Sequence, residues 1–266
     1  NFGEMENKGW SLNLRTQMLR DTERELYWSL AFGTSDSKNK IKKITDKLGA
    51  MNDENNKNET KKPVPLYEEG ESLDALKAVP SLGIDPETGK EVFVKKDGSL
   101  TTIWDYNDKV VCGTTDPKFR GTLNSFLTFK GISLNMSFNF QWGGQTYNQT
   151  LASRVEGVNP NSNCDRRVLY DRWKQPGDNA KFKSVGDFSE TKATSRFIFK
   201  DNTFYASSLN LGYEFPTEWS KKYLSLSYLS INGYLEDLFY WSTIKRERGT
   251  DYPFARKFSI SLTARF

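Results

Sequence analysis

The carboxylates Glu68, Glu69 and Glu71 crowd into one short stretch, a grouping that can hold calcium. No twelve-residue calcium loop with its central glycine surrounds them, so a solvated acidic turn is expected and no metal. Cys112 and Cys164 are the two cysteines. They are too few for a zinc site and fit either one disulfide or two idle thiols. Asp165-Arg166-Arg167 and Asp171-Arg172 read as a salt-bridge cluster bracing a loop, with a ligand role for Arg166 or Arg172 as the other reading. The aromatics Trp104, Tyr106, Tyr147, Tyr170, Trp173, Tyr240 and Trp241 fall between the periodic segments. They can stack on a ligand, pack loop on loop, or touch a second protein. Histidine is absent from the sequence, which excludes a Ser-His-Asp triad, a Cys-His pair and any imidazole ligand. Without a convergent nucleophile and base, no catalytic residue and no cofactor are expected, and the chain reads as a non-enzyme. The patterns at Asn58, Asn135 and Asn148 match glycosylation acceptors, though Asn135 lies within a strand and the pattern alone carries little weight.

The elements that position these groups are strands. In residues 132–142 the even positions are Ile132, Leu134, Met136, Phe138, Phe140 and Trp142, and the odd positions are all polar. The same two-residue period runs through 10–15, 24–32, 119–129 (with Phe126 out of phase), 205–215 and 257–266. Between Tyr223 and Leu235 the phase slips, and a bulge near Tyr228 would reconcile it. This gives seven strands of about ten residues, long enough to span hydrocarbon when tilted. Short connections, at 19–22, 130–131 and 216–222, alternate with long ones at 35–118, 143–203 and 237–253. Such sorting is the pattern of an outer-membrane barrel. Within the first long connection, residues 35–51 suggest a short amphipathic helix, 52–62 a flexible tip, and Asp85–Gly89 and Asp97-Gly98 the turns of a small hairpin.

Charge and hydropathy agree with this. Lys and Arg number 38 against 34 Asp and Glu, a net charge of +4 that is too balanced for a nucleic-acid surface. No apolar run is long enough for a membrane helix, and the first residues lack the pattern of a signal peptide. An odd number of strands with two open edges is unstable in lipid. The chain (1–266) is therefore expected to be the C-terminal segment of a larger all-β transmembrane barrel, or to pair with another chain, with 35–118 and 143–203 as extracellular loop regions. Trp10, Trp28, Phe129, Trp142, Tyr205 and Tyr223 suit interface girdles. Arg120, Asn124, Asn135, Asn139 and Gln141 would wall a wet interior. Leu262, Ala264 and terminal Phe266 fit a signal for the barrel-assembly machinery, and outer-membrane lipid is the expected solvent of the apolar stripes.

The sequence then resembles a known family. Glu69-Gly70-Glu71-Ser72, residues 81–89 (Ser-Leu-Gly-Ile-Asp-Pro-Glu-Thr-Gly) and Lys96-Asp97-Gly98 are similar to a stretch of the SusC family, TonB-dependent outer-membrane transporters of Bacteroidetes. Further matches are Gly9-Trp10, residues 35–41, Gly143-Gly144-Gln145-Thr146-Tyr147-Asn148, residues 165–168 and 171–178, Ser195-Arg196-Phe197, Ser207-Ser208-Leu209 and residues 252–256. At residues 235–239, Asp237 stands where the family usually has Asn. The resemblance implies the last third or so of a 22-stranded barrel, with the signal sequence, plug and TonB-interacting segment outside this chain. It implies TonB-dependent import of oligosaccharides or peptides under a SusD-like surface lipoprotein. The alternatives are a structural barrel scaffold and a soluble secreted β-sandwich that binds glycans.

Overall fold

The computed structural model describes residues 3–57, 62–159, 161, 163–245, 247 and 256–266. In chain order the strands are β1 (Gly3–Asp21), β2 (Leu26–Ile44), β3 (Ala75–Ala78), β4 (Ser81–Ile84), β5 (Glu91–Val94), β6 (Leu100–Thr101), β7 (Val110–Thr114), β8 (Phe119–Phe129), β9 (Ile132–Tyr147), β10 (Ile198–Glu214), β11 (Tyr228–Ser242) and β12 (Phe258–Arg265). Helix α1 (Asp46–Lys57) follows β2, and α2 (Thr217–Leu224) lies between β10 and β11. The main sheet has seven strands in the order β1-β2-β8-β9-β10-β11-β12. Each long strand is a neighbour of the next along the chain, as in an antiparallel meander.

The registers show why alternation builds a two-faced wall. Leu26 pairs with Phe129, which pairs with Ile132; Trp28 with Leu127 and Leu134; Phe32 with Leu123 and Phe138. One residue along, Ala31 meets Asn124 and Ser137, and Ser35 meets Arg120 and Gln141. Apolar rows thus continue across strands on one face and polar rows on the other, because the side-chain period is two. The same holds at the other edge. Leu209–Leu235–Phe258 and Tyr213–Ile231–Leu262 are apolar rows, while Asn210–Tyr234–Ser259 and Gly212–Asn232–Ser261 are mixed or polar. The apolar rows lie open: Trp10, Leu14, Phe258, Ile260 and Leu262 are each more than half exposed. A soluble sheet would bury such a face against protein, and a transmembrane one would leave it to hydrocarbon.

The β8–β9 connection is a two-residue turn in which Lys130 and Gly131 both have positive φ, 45° and 81°. That is the mirror-image turn whose twist matches paired strands. The other two short connections differ in kind. Residues 22–25 close β1 and β2, with Glu25 at φ 50°. Residues 216–227 hold α2 instead of the bare turn expected from the sequence, so Leu224 and Leu226 belong to the helix end and its exit, not to a strand. This removes the bulge expected near Tyr228. The slip lies further along, where Ala206 faces Phe239 but Ser208 faces Glu236, and the extra residue on β11 is Asp237 at φ 53°. Asn and Asp tolerate this left-handed conformation best after glycine.

Chain segments cluster into two compact units, one of Asn1–Lys8, Ser37–Asp116 and Gly144–Lys200, the other of Gly9–Asp36, Pro117–Gly143 and Asp201–Phe266. In the first, β3 pairs with β7, and β4, β5 and β6 form a small sheet. Asp85–Lys90 and Lys95–Ser99 are its turns, each closed by a backbone hydrogen bond of 2.8–2.9 Å. The helix expected at 35–51 is displaced. β2 continues to Ile44 because Ile41, 3% exposed, exchanges backbone hydrogen bonds with Gly70 and Glu71, and α1 begins only at Asp46. Residues 52–57 of the expected flexible tip are therefore helical. The glycosylation pattern at Asn58, and most of the match at 252–256, lie outside the described residues.

Candidate functional site

Most of the residues that the sequence singles out for chemistry are gathered in the unit that contains Ser37–Asp116 and Gly144–Lys200. Its core is Ala152, Val155, Phe182 and Phe197, with Tyr147 and Leu151 packed against it. Tyr147 meets the Phe197 ring edge-on at 6.0 Å. Leu151–Glu156 is a wide π-type turn, and Arg172 holds its end. The Arg172 side chain is buried and donates to the carbonyls of Val155, Glu156, Val168 and Lys183. Burial pushes this guanidinium down from its ordinary value, and Glu156 nearby raises it. With its donors spent on carbonyls, Arg172 serves as a brace. The sequence grouped it with Asp171, but Asp171 pairs with Lys181 at 3.0 Å on the surface, and Asp165 pairs with Arg167 at 2.7 Å.

Arg196 joins three stretches of chain. Its guanidinium grips the Glu156 carboxylate at 2.6 Å and that of Glu91 at 2.8 Å. The Glu156 side chain is 1% exposed and Arg196 and Glu91 are each 12% exposed. Burial alone would lower the Arg196 pKa, but hydrogen bonds and charge from Glu156 and Glu91 outweigh it and hold the group above its ordinary range. No local pattern reveals this hub, since Glu156 is 40 and Glu91 105 residues from Arg196. Only the matched triplet Ser195-Arg196-Phe197 pointed at the position.

Among the aromatics, Trp173, Trp104 and Tyr147 pack within the loop unit, whereas Trp241 is 60% exposed. Trp173 donates to the Pro86 carbonyl at 2.7 Å, and its indole lies so close over Gly89 that a Cβ there would come within 2.5 Å of the ring. Trp104 donates to the Ala193 carbonyl at 3.3 Å, and the Lys109 and Lys192 ammonium groups lie 5.7 and 5.6 Å from its ring centre. Tyr106 begins a short 3-10 turn capped by Asp105. Tyr240 and Trp241 fall within β11 and not in the loop after it. Tyr240 pairs with Tyr205 and Trp241 with Phe204. The structure thus keeps Trp104, Tyr106, Tyr147, Arg172 and Trp173 in one unit and puts Tyr240 and Trp241 in the other. Tyr170, 52% exposed, borders a cleft of about 530 Å³ floored by Leu151, Phe182, Phe197 and Phe199.

The acidic turn has a resident cation. Lys77, 3% exposed, lies 2.6 Å from Glu68 and 2.7 Å from Glu71, and Glu69 accepts the Ile44 N–H. Among the described residues no metal-holding cluster forms. Of the two readings of the cysteines, the structure holds them as separate thiols. The Cys112 thiol donates to the Ala78 carbonyl and Cys164 to that of Asn159, so each sulfur is engaged with backbone and not with the other. Burial pushes the Cys112 thiol up, against the smaller pull of its carbonyl contact. On the polar face of the sheet, Ser137 donates to Asn124 at 2.8 Å and Gln141 to Asp201 at 2.8 Å. Leu262 and Ala264 lie on β12, and terminal Phe266 is 98% exposed.

No protein-family model matches the chain. It is 25% identical over 239 residues, 84% of its length, to TonB-dependent receptor P3 of Formosa agariphila. It is 20% identical over 294 residues to TonB-dependent receptor P39 of the same organism. Its fold matches solved structures of the RagAB peptide transporter, with a TM-score of 0.73 over 91% of this chain at 15% identity. The RagAB peptide importer in its open-open state matches over 98% with a TM-score of 0.72. The chain spans about a quarter of the length of these relatives. Over most of its length the chain is thus similar to one part of TonB-dependent receptors, and it shares its fold with one part of the RagAB transporter.

Proposed function

We propose that this chain supplies barrel wall and outer loops to an energised importer of oligosaccharides or peptides, closed from outside by a SusD-like lipoprotein. The observation that carries it is the two-faced meander, with apolar rows left open on one face, polar rows on the other, and long insertions in every second connection. An apolar face of this kind needs hydrocarbon, and the polar rows suit a wet lumen. The regions 35–118 and 143–203 then stand outside the cell, braced by Arg196, Arg172 and Trp173 into a firm rim for cargo and lid. Energy comes through the TonB complex, which acts on parts of the protein beyond this chain. The names of the relatives, receptors and a peptide importer, support this reading and not catalysis. Native purification of the full-length receptor tests it. A co-purifying surface lipoprotein and a bound oligomer are expected, with loss of uptake on deletion of the gene. A receptor that purifies without either and whose deletion leaves uptake unchanged would support a scaffold instead. Phe266, Ala264 and Leu262 form the assembly signal in this proposal. Removal of Phe266 should sharply lower the amount of receptor in the outer membrane by immunoblot, and unchanged levels would count against that role.

A further inference from the structure

We propose that the β10–α2–β11–β12 corner is a binding site for one anionic phospholipid, an inference that rests on the membrane-spanning reading with the short connections on the inner side. The apolar face has a notch there. Leu211, Gly233 and Ile260 form one cross-strand row, so a bulky row is interrupted by a residue with no side chain. Tyr213, Ile231, Leu235 and Phe258 border the resulting groove of about 550 Å³. Neither backbone nor packing demands glycine at this point. Gly233 is not among the residues with positive φ, and a Cβ there would meet nothing nearer than 3.8 Å. An open notch in a face solvated by hydrocarbon takes an acyl chain.

What makes the notch a site is the ladder that leads out of it. Tyr213, on its border, meets Phe215 at 4.8 Å; Phe215 stacks on Trp219 at 5.3 Å; and Trp219 lies 5.7 Å from Tyr223. Trp219 and Tyr223 are exposed neighbours four residues apart on α2. The Lys222 ammonium lies 5.2 Å from the Tyr223 ring centre. Lys221 and Lys222 are exposed, and neither has a carboxylate partner among the described residues. The helix carries two cations against the single Glu218. Amphipathic aromatics at headgroup depth followed by lysines on the water side recognise an anionic headgroup whose tail reaches the hydrocarbon. The acyl chain fills the Gly233 notch, the Trp219–Tyr223 edge lies along the glycerol region, and the lysines meet the phosphate.

The test uses the full-length receptor, purified in mild detergent and exposed to equal amounts of dioleoyl-phosphatidylglycerol and dioleoyl-phosphatidylcholine, with bound lipid counted by native mass spectrometry. Preferential retention of the phosphatidylglycerol is expected. The double variant Lys221→Gln, Lys222→Gln should cost that lipid roughly 30-fold in retention and leave phosphatidylcholine unchanged. Gly233→Leu should lower retention of both. If Gly233→Leu fails to assemble, the lysine variant carries the test, since α2 lies outside the strands. Equal retention of the two lipids, retention that ignores the lysines, lipopolysaccharide in place of phospholipid, or a periplasmic protein on the helix without lipid would overturn the proposal. Fractionation separates this from the reading beneath it. A receptor found outside membranes sinks the barrel, whereas one inserted normally with no lipid preference sinks only the site.

Discussion

Arg196 shows how a single side chain fixes loops that local sequence leaves undetermined. Its partners Glu91 and Glu156 come from a small hairpin and a π-type turn, and all three are largely shielded from water. Removing one member of a buried charge group strands the others, which costs more than the group itself contributes. Arg196→Ala should therefore destabilise this unit by about 3–5 kcal/mol. In a large barrel protein that loss is local, so hydrogen exchange is the measurement to use. Protection should fall within 144–200 and stay unchanged in 119–129. Unchanged protection at 144–200 would mean that the core of Val155, Phe182 and Phe197 holds the fold without the ion network. Arg172→Lys probes a different role, because a lysine cannot reproduce the fan of donors that meets four carbonyls.

At the scale of elements, the main strands were legible because most residues in them testify to one period, with exceptions such as Phe126. The seven long strands and the turn at Lys130-Gly131 follow from that signal, but not their lengths, since β1 and β2 run to 19 residues each where about ten were expected. Misreadings arise where another effect outweighs periodicity. Ile41, Ile44 and Leu48 have helical spacing, yet the first two are in β2, since Gly70 and Glu71 offer Ile41 a backbone partner that no local pattern reveals. Residues 217–224 end at strand-like Leu224, with Leu226 just beyond, but Trp219 and Tyr223 at helical spacing mark the helix. The bulge was expected at Tyr228 and lies at Asp237 because α2 absorbs the out-of-phase leucines. The site residues were less legible, since Arg172 and Arg196 act on carbonyls and carboxylates from remote stretches. Turn chemistry makes a test at this scale. Gly131 has φ 81°, and a Cβ there would come within 2.6 Å of the Glu214 carbonyl. Gly131→Ala should cost about 1–3 kcal/mol, whereas Lys130→Asn, which suits the left-handed conformation, should be neutral or stabilising. Denaturant midpoints of the folded receptor check both, and a harmless Gly131→Ala would mean that the hairpin relaxes away from this turn.

For the molecule as a whole, the question is which solvent each face of the wall meets. Met136 belongs to a row with Ser125 and Leu30, near the middle of the alternating stretch 132–142 of β9, and Asn139 to the opposite row with Thr122 and Gly33. If the first row meets hydrocarbon near the bilayer centre, an arginine at Met136 must be carried into it or drag water and headgroups inward. That costs about 2–4 kcal/mol in a transmembrane barrel. An arginine at Asn139 enters a polar row and should cost little. Met136→Arg alone would not discriminate, because a soluble sandwich core rejects arginine too. The discriminating measurement joins two readouts on the full-length receptor, folding yield into bilayers and solubility in plain buffer. With Met136→Arg the yield should fall while Asn139→Arg keeps it, and neither protein should leave the membrane without detergent. A parent chain that remained folded and monomeric in buffer would assign the Leu30–Ser125–Met136 row to a protein interior. In that case the apolar rows, the notch at Gly233 and the aromatic edge of α2 would all need a protein partner in place of lipid.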